Sequence, residues 1–207
     1  MARGRLIVLN GTSSSGKTSI ARALQARWPT PLLYLALDTV IGMMPFQYTG
    51  NGTLAKDGYS LEETEEDGKR VVKYSVGPHG KFLNAELARL ASTLCSAEYD
   101  VILDHVITDD ETMIALAECT VGHSAYLIAV RCDGRVTEAR ERSRGDRLIG
   151  LAAGQTDSVH DGLRPYDLSV DSSQSAPDEL AEAIIRHVEG ALPTGLRQIA
   201  SGRIRVS

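Results

Sequence analysis

Residues 11–18 read Gly-Thr-Ser-Ser-Ser-Gly-Lys-Thr and match in full the GxxxxGK[ST] pattern of a phosphate-binding loop, or P-loop. Backbone N–H groups of such a loop, together with the N-terminus of the following helix, create a positive potential suited to a triphosphate. The lysine bridges the β- and γ-phosphates, and the threonine hydroxyl binds Mg²⁺. The predicted site for ATP or GTP with Mg²⁺ comprises Gly11, Thr12, Ser13, Ser14, Ser15, Gly16, Lys17 and Thr18. A serine-rich turn that binds no nucleotide is the alternative.

A carboxylate that follows a short apolar run is the second candidate. Asp104 comes directly after Val101-Ile102-Leu103, which is the position of a Walker B aspartate that holds Mg²⁺ directly or through water. We also include Asp104 among the residues expected beside the substrate. A carboxylate at a strand end commonly serves only as a capping group, and that alternative stays open.

Asp38 decides between a kinase and a protein that only binds nucleotide. It ends the second apolar run, residues 32–37, whose carboxyl end shares an edge with the P-loop if the sheet is parallel. A carboxylate there can orient an alcohol and accept its proton as the phosphoryl group transfers. The alternative is an N-cap for a helix over residues 39–43.

Four arginines crowd the stretch 140–147, namely Arg140, Arg142, Arg144 and Arg147. They predict a lid over residues 140–160, hinged at Gly145 and Gly150, that places guanidinium groups against the transferred phosphoryl group. The spacing does not tell which arginine touches phosphate. We take Arg144 and Arg147 as catalytic candidates and Arg140 as a nucleotide-binding candidate. The alternative is an exposed helix whose arginines pair with Glu138 and Glu141.

These candidates lie between elements that alternate along the chain. Apolar runs predict strands at 6–10, 32–37, 101–103, 125–130 and 166–170. Periodic segments predict helices at 18–28, 81–97, 109–118, 133–144 and 175–192. The alternation predicts an α/β fold of three layers with a mostly parallel five-stranded sheet, in a single domain over residues 1–207. No element is predicted for the tail, residues 193–207.

Residues 46–80 differ in character from the rest of the chain. Glycines and charges are dense, and the acidic run at 62–67 cannot belong to a core. Residues 71–76 alternate well enough to predict an exposed strand or one arm of a hairpin. We interpret this segment as an excursion on the substrate side of the domain.

Composition limits the classes of partner. The chain has 207 residues, of which 43% are hydrophobic and 24% charged, as in ordinary globular proteins. A formal net charge of −5 disfavours nucleic acid and anionic membranes. No apolar run reaches the length of a membrane span, and three cysteines without a CxxC pair suggest small buried side chains in a reducing compartment. We expect a cytoplasmic protein, and an assembly of identical subunits stays open.

Several motifs together resemble the chloramphenicol phosphotransferase family. In the first half these are Leu-Asn-Gly-Thr-Ser-Ser-Ser-Gly-Lys-Thr at 9–18, Leu-Asp-Thr-Val-Ile at 37–41 and Met-Met-Pro at 43–45. In the second half they are Val-Arg-Cys-Asp-Gly at 130–134, Glu-Arg-Ser-Arg-Gly-Asp-Arg at 141–147, Val-His-Asp-Gly at 159–162 and Tyr-Asp-Leu-Ser-Val-Asp at 166–171. The similarity spans most of residues 5–190.

The resemblance implies an adenylate-kinase-like P-loop fold, Mg²⁺, and inactivation of an antibiotic by phosphorylation of its primary alcohol. Asp38 falls on the family's proposed catalytic base, and residues 144–147 fall on its lid. The chain departs from the family at 46–80, which is longer and more acidic than expected where the acceptor should be held.

Two classes of antibiotic acceptor and two alternatives outside antibiotics follow as hypotheses. Chloramphenicol itself would need an apolar slot, for which Met43, Met44 and Phe46, with Tyr48, are the candidates. A bulkier antibiotic, such as a nucleoside antibiotic with a sugar hydroxyl, fits the longer excursion equally well. Outside antibiotics, the alternatives are a nucleotide or metabolite kinase and a non-enzymatic P-loop switch, although the chain has no NKxD motif of a GTPase.

Overall fold

The computed structural model describes residues 4–66, 69–144, 149–161 and 164–202. Its strands in chain order are β1 (Arg5–Asn10), β2 (Leu32–Ala36), β3 (Thr49–Gly50), β4 (Tyr59–Glu66), β5 (Lys69–Val76), β6 (Asp100–His105), β7 (Ser124–Arg131) and β8 (Leu168–Asp171). Its helices are α1 (Lys17–Arg27), α2 (Leu37–Ile41), α3 (Pro78–Ser96), α4 (Asp110–Cys119), α5 (Gly134–Arg144), α6 (Thr156–Val159), α7 (Pro177–Gly190) and α8 (Gly195–Ala200). Short 3₁₀ turns lie at Phe46–Tyr48, Ala55–Asp57 and Ala153–Gln155.

The main sheet has five strands in the order β2-β6-β1-β7-β8, and every adjacent pair is parallel. The register pairs Asn10, the last residue of β1, with His105 at the end of β6 and with Ala129 near the end of β7. The carboxyl ends of the central strands therefore meet at one edge. In parallel α/β sheets this is the edge where ligands bind.

Alternate residues of β1 point to opposite faces of the main sheet, as the strand period requires. Leu6 and Val8 join a core with α2, α3, α4 and α8, whereas Ile7 and Leu9 join a core with α1 and α7. Two apolar cores thus cover both faces. The predicted three-layer fold and five-stranded parallel sheet are confirmed.

The second sheet is made by the 46–80 excursion. Strands β4 and β5 pair antiparallel from Tyr59↔Val76 to Glu66↔Lys69, and β3 pairs in parallel with the start of β4. Residues 62–65 of the acidic run lie in β4 and are exposed, because glutamate side chains are rarely buried without a partner. We call β4 and β5 the acceptor hairpin, after the substrate-side role that the sequence predicts for residues 46–80.

The tail and the cysteines differ from the sequence prediction. The tail, for which no element was predicted, contains α8, and its Leu196 and Ile199 are buried against α4 and β7. Burial was predicted for all three cysteines, but only Cys95 is buried, whereas Cys119 and Cys132 are half-buried. None of the helices within the described ranges combines the length and apolar character needed to cross a membrane.

Candidate active site

The P-loop, residues 11–18, connects β1 to α1 at the carboxyl edge of the main sheet. Gly16 adopts a left-handed conformation with φ of 92°, which a residue with a side chain would adopt only under strain. The hydroxyl groups of Ser13, Ser14 and Ser15 are buried and find no hydrogen-bond partner within the described part of the chain. Buried polar groups are normally satisfied, so the loop presents a polar concavity fit for a ligand such as a triphosphate.

Lys17 is buried and directed back onto the loop. Its Nζ donates hydrogen bonds to the carbonyl oxygens of Gly11 at 2.9 Å and Thr12 at 2.8 Å. Its distance to Asp104 Oδ1 is 3.7 Å. The charge therefore lies between the loop and the carboxylate, within reach of an anion that enters the loop.

Oxygen ligands for a hard cation meet at the end of β6. The Thr18 hydroxyl donates to Asp104 Oδ2 at 3.2 Å, and the Tyr34 hydroxyl donates to the same oxygen at 2.8 Å. Burial, with the Asp104 charge, raises the pKa of Tyr34 well above its ordinary value, so the phenol stays protonated. A hydroxyl next to a carboxylate fits Mg²⁺, which takes few protein ligands and completes its shell with water and phosphate. Within the described residues, no group of three or more His, Cys, Asp or Glu side chains is placed to hold a metal ion.

Asp38 is the second residue of α2 and not a cap. The N-cap is Ala36, one residue before the helix begins at Leu37, so the alternative of an N-cap for residues 39–43 is wrong. The Asp38 side chain is exposed and lines the same cavity as Gly16, Lys17 and Thr18. The two features needed for phosphoryl transfer, an anion loop and a carboxylate, are therefore brought together.

This cavity has a volume of about 290 Å³ and extends from the P-loop to the acceptor hairpin. Its walls away from the P-loop are largely apolar and aromatic, and they comprise Ala36, Leu37, Ile41, Tyr59, Leu61, Tyr74, Val76, Val106 and Leu151. Polar residues at intervals are Thr49, Asn84, Thr108, Asp109, Gln155 and Ser158. Such walls with a few polar groups are typical of a small-molecule site.

Two tyrosines of the acceptor hairpin stack within this cavity wall, with ring centroids 5.7 Å apart. Tyr59 donates its hydroxyl proton towards Asn84 Oδ1 at 2.8 Å, and burial raises the pKa of Tyr59 to about 12. The Tyr74 hydroxyl is buried and has no hydrogen-bond partner among the described residues. Burial, with the nearby Tyr59 and Asp38, raises the pKa of Tyr74 further. The Tyr74 hydroxyl is thus a hydrogen-bond donor in the cavity wall that no described residue satisfies.

The arginines of the predicted lid fall in different places. The Arg140 guanidinium donates to Ser14 O at 3.3 Å and to Ser172 O at 2.8 Å, so it lies against the P-loop. Arg142 pairs with Glu138 on an exposed surface, as the alternative interpretation held. Helix α5 ends at Arg144, and Arg147 lies outside the described residues.

The three predicted apolar contacts to the substrate are not in the cavity wall. Met43 and Phe46 are exposed at 73% and 84%, and Met44 lies near Gly58. Helix α2 ends at Ile41, and the chain returns to the cavity wall at Thr49 and Gly50, past all three of these residues. Ile41 and the acceptor hairpin supply the apolar surface instead.

Comparison with known proteins settles the family. A family model described as chloramphenicol phosphotransferase-like protein matches residues 4–189. The chain belongs to the chloramphenicol phosphotransferase-like family. A Mycobacterium tuberculosis H37Rv protein named "Putative O-phosphotransferase Rv2636" is 26% identical over 185 residues, covering 89% of this chain and 82% of that protein. The predicted family and the prediction of a phosphotransferase enzyme are confirmed.

Solved structures agree on the fold of this family member. The Mycobacterium tuberculosis APS kinase CysC, solved with AMPPNP and APS, aligns with a TM-score of 0.64 and 16% identity, covering 92% of this chain and all of that one. Shikimate kinase from Acinetobacter baumannii, solved with shikimate, aligns with a TM-score of 0.57 and 13% identity over 91% and 94%. The fold is that of the P-loop kinases.

Sequence patterns pointed to no role for several residues of this site. Gln155 accepts a hydrogen bond from the Ser13 N–H, and Glu141, only 1% exposed, accepts from the N–H groups of Gly150 and Ala152. Tyr34 and Tyr74 reach the site from β2 and β5. Gln155, Tyr34 and Tyr74 belong to no local motif, so only the fold brings them to the P-loop and the cavity. Glu141 opens the 141–147 motif, which predicted it as a partner of the arginines rather than of these N–H groups.

Proposed function

We propose that this phosphotransferase moves the γ-phosphoryl group of ATP, with Mg²⁺, to a hydroxyl group of a neutral antibiotic and thereby inactivates it. The observation that carries the proposal is one cavity of about 290 Å³ that is lined both by residues 16–18 of the P-loop and by Asp38. An acceptor bound against the apolar wall lies between the carboxylate and the triphosphate. This is the arrangement that direct transfer requires.

In the proposed reaction, residues at the two ends of the cavity have different roles. Asp38 orients the acceptor hydroxyl and takes its proton, while the new bond forms between that oxygen and the γ-phosphorus. The bond from the γ-phosphorus to the β–γ bridging oxygen breaks, and ADP leaves with that electron pair. Lys17 stabilises the negative charge on the phosphates, for which its Nζ exchanges the Gly11 and Thr12 carbonyls for phosphate oxygens.

Thr18 and Asp104 are the residues we propose to hold Mg²⁺. When bound, the ion would neutralise phosphate charge and orient the triphosphate. Residues 140–160 are proposed as the lid, with Arg144 and Arg147 as the candidates for contact with the transferred group. Arg140, which lies against Ser14, is proposed to contact the nucleotide.

The charges of the cavity favour a neutral acceptor. Among the lining residues that the structure describes, Lys17 is the sole cation, and it is needed at the phosphates. The lining carboxylates are Asp38, Asp104 and Asp109, of which we assign Asp104 to Mg²⁺ and the other two to the acceptor. A carboxylate on the acceptor would face these two like charges in a site of reduced dielectric, which costs affinity. Chloramphenicol and nucleoside antibiotics with a sugar hydroxyl are neutral alcohols with apolar parts, and they are our two leading classes.

The experiment is a coupled assay of diphosphate release with ATP or GTP, across a panel of alcohols, followed by mass spectrometry for an added phosphate. The panel pairs neutral antibiotics with nucleosides and carboxylated metabolites. Phosphorylation of a neutral antibiotic alcohol is expected. Transfer only to nucleotides or acidic metabolites would instead indicate a metabolite kinase. Slow hydrolysis that no acceptor stimulates would indicate a nucleotide switch.

A further inference from the structure

Residues 149–161 contact both ends of the cavity. Glu141 holds the start of this segment, since its carboxylate accepts from Gly150 N at 2.9 Å and Ala152 N at 2.8 Å. The segment then lies against the acceptor hairpin: Val72 N donates to Gly150 O at 3.0 Å, and a Cβ on Gly154 would lie only 2.2 Å from Val72 O. The backbone is therefore fixed on the hairpin up to the residue before Gln155.

Gln155 extends from this segment into the P-loop. Its Oε1 accepts a hydrogen bond from Ser13 N–H at 2.6 Å, and both residues are buried. Ser13 belongs to the loop whose backbone N–H groups bind phosphate oxygens in proteins with this motif. A neutral amide oxygen thus occupies a donor of the anion site, beside three buried serine hydroxyls that have no hydrogen-bond partner in the part of the chain that the structure describes.

We propose that Gln155 competes with the triphosphate for the Ser13 N–H, so that nucleotide must displace this side chain to fill the P-loop. The inference rests on the proposed function. A charged phosphate oxygen makes a stronger hydrogen bond than a neutral amide oxygen, so nucleotide prevails at the cost of part of its affinity. Gly150 and Gly154 pack on β5. Displacement of Gln155 therefore moves a side chain of the segment 149–161, which also contacts the acceptor hairpin.

The test is calorimetric titration of the full chain with AMPPNP and Mg²⁺. Gln155→Met keeps the length and packing of the side chain but removes the competing oxygen, and Gln155→Ala removes the side chain beyond Cβ. Both variants should bind AMPPNP about two- to tenfold more tightly than the wild type, the usual worth of one hydrogen bond. A gain in affinity is a result that structural damage does not produce. Gln47→Ala, at an exposed glutamine, is the control and should match the wild type.

Hydrogen exchange of the peptide spanning residues 11–18 gives a second measurement. Without nucleotide, the Ser13 amide should exchange faster in Gln155→Met than in the wild type, and AMPPNP should remove the difference. Weaker or unchanged AMPPNP binding by both variants would overturn the competition and make Gln155 a ligand of the nucleotide or a packing residue. Failure of the wild type to bind AMPPNP at all would overturn the proposed function as well, so the two failures are distinguishable.

Discussion

The P-loop end of the cavity lies on the five-stranded sheet, whereas the far end is walled by the three-stranded sheet of the 46–80 excursion. The first end is built from residues that are close together in sequence, between β1 and the first turn of α1. The second end combines residues from α2, β4, β5 and α3. The proposed phosphate site is thus a local sequence motif, whereas the proposed acceptor site depends on tertiary contacts. Variants at the two ends should therefore separate nucleotide handling from acceptor handling.

The largest separation is expected at Asp38. Asp38→Asn should lower turnover by about 10²- to 10⁴-fold, because an amide cannot accept the acceptor proton, whereas AMPPNP binding should change little. Single-turnover assays with the identified acceptor, together with calorimetry for the nucleotide, measure both. Asp57→Asn, at an exposed site in the excursion, is the charge-matched control. Unchanged turnover in Asp38→Asn would leave Asp38 without a catalytic role.

Lys17→Ala should damage both binding and turnover. Removing the charge between the β- and γ-phosphates is expected to lower the transfer rate by about 10²- to 10³-fold, as for other electrostatic contacts to the reacting group. AMPPNP affinity should fall in the same variant, in contrast to Asp38→Asn. Lys56→Ala at an exposed lysine is the control. Normal transfer by Lys17→Ala would reject the P-loop as the triphosphate site.

An ion pair in the main sheet should contribute more to the free energy of unfolding than one in the acceptor hairpin. Asp100 accepts hydrogen bonds from the Arg5 side chain at 2.6 Å and from Trp28 Nε1 at 2.7 Å, and this carboxylate is nearly buried. Asp100→Ala should lower the free energy of unfolding by about 2 kcal/mol, because a partly buried guanidinium loses its partner. Glu63→Ala, which breaks the exposed pair with Arg70 across the acceptor hairpin, should cost less than about 1 kcal/mol. Urea unfolding measures both, and equal losses would contradict the difference.

The Asp100 contacts also predict the pH dependence of that difference. Burial alone would raise the pKa of Asp100, but the hydrogen bonds from Arg5 and Trp28 outweigh it and hold the pKa below its ordinary value. The unfolded chain therefore binds this proton more readily than the folded one. The contribution of Asp100 should be complete above about pH 5 and decline as the pH falls further. Asp100→Ala should accordingly approach the wild type in stability at low pH.

The sequence predicts the P-loop end of the cavity better than the acceptor end. The common location of the P-loop, Asp104 and Asp38 could be predicted because each lies at the end of a short apolar run, and parallel strands end at a common edge. Met43 and Phe46 were expected to form an apolar slot for chloramphenicol because of their residue types, but residue type alone does not tell which apolar side chains face the cavity, and both are exposed outside its wall. Tyr74 and Gln155 come from segments more than 55 residues beyond the P-loop, so no local pattern could bring them there. The six-residue α8 is too short to show a helical period.

Substitution of Tyr74 should have the smallest effect on activity and tests most specifically whether the two ends of the cavity are separate sites. Its buried hydroxyl lacks a partner among the described residues and lies in the cavity wall, so a bound acceptor that offers an oxygen or nitrogen lone pair would satisfy it. Tyr74→Phe should raise KM for the acceptor about two- to tenfold, while kcat and KM for ATP stay near wild type. Steady-state kinetics with each substrate varied in turn measures this split. Tyr99→Phe, just before β6 at the opposite edge of the sheet, is the matched control. A change confined to KM for ATP would mean that the acceptor hairpin serves the nucleotide, and the two ends would no longer be separate sites.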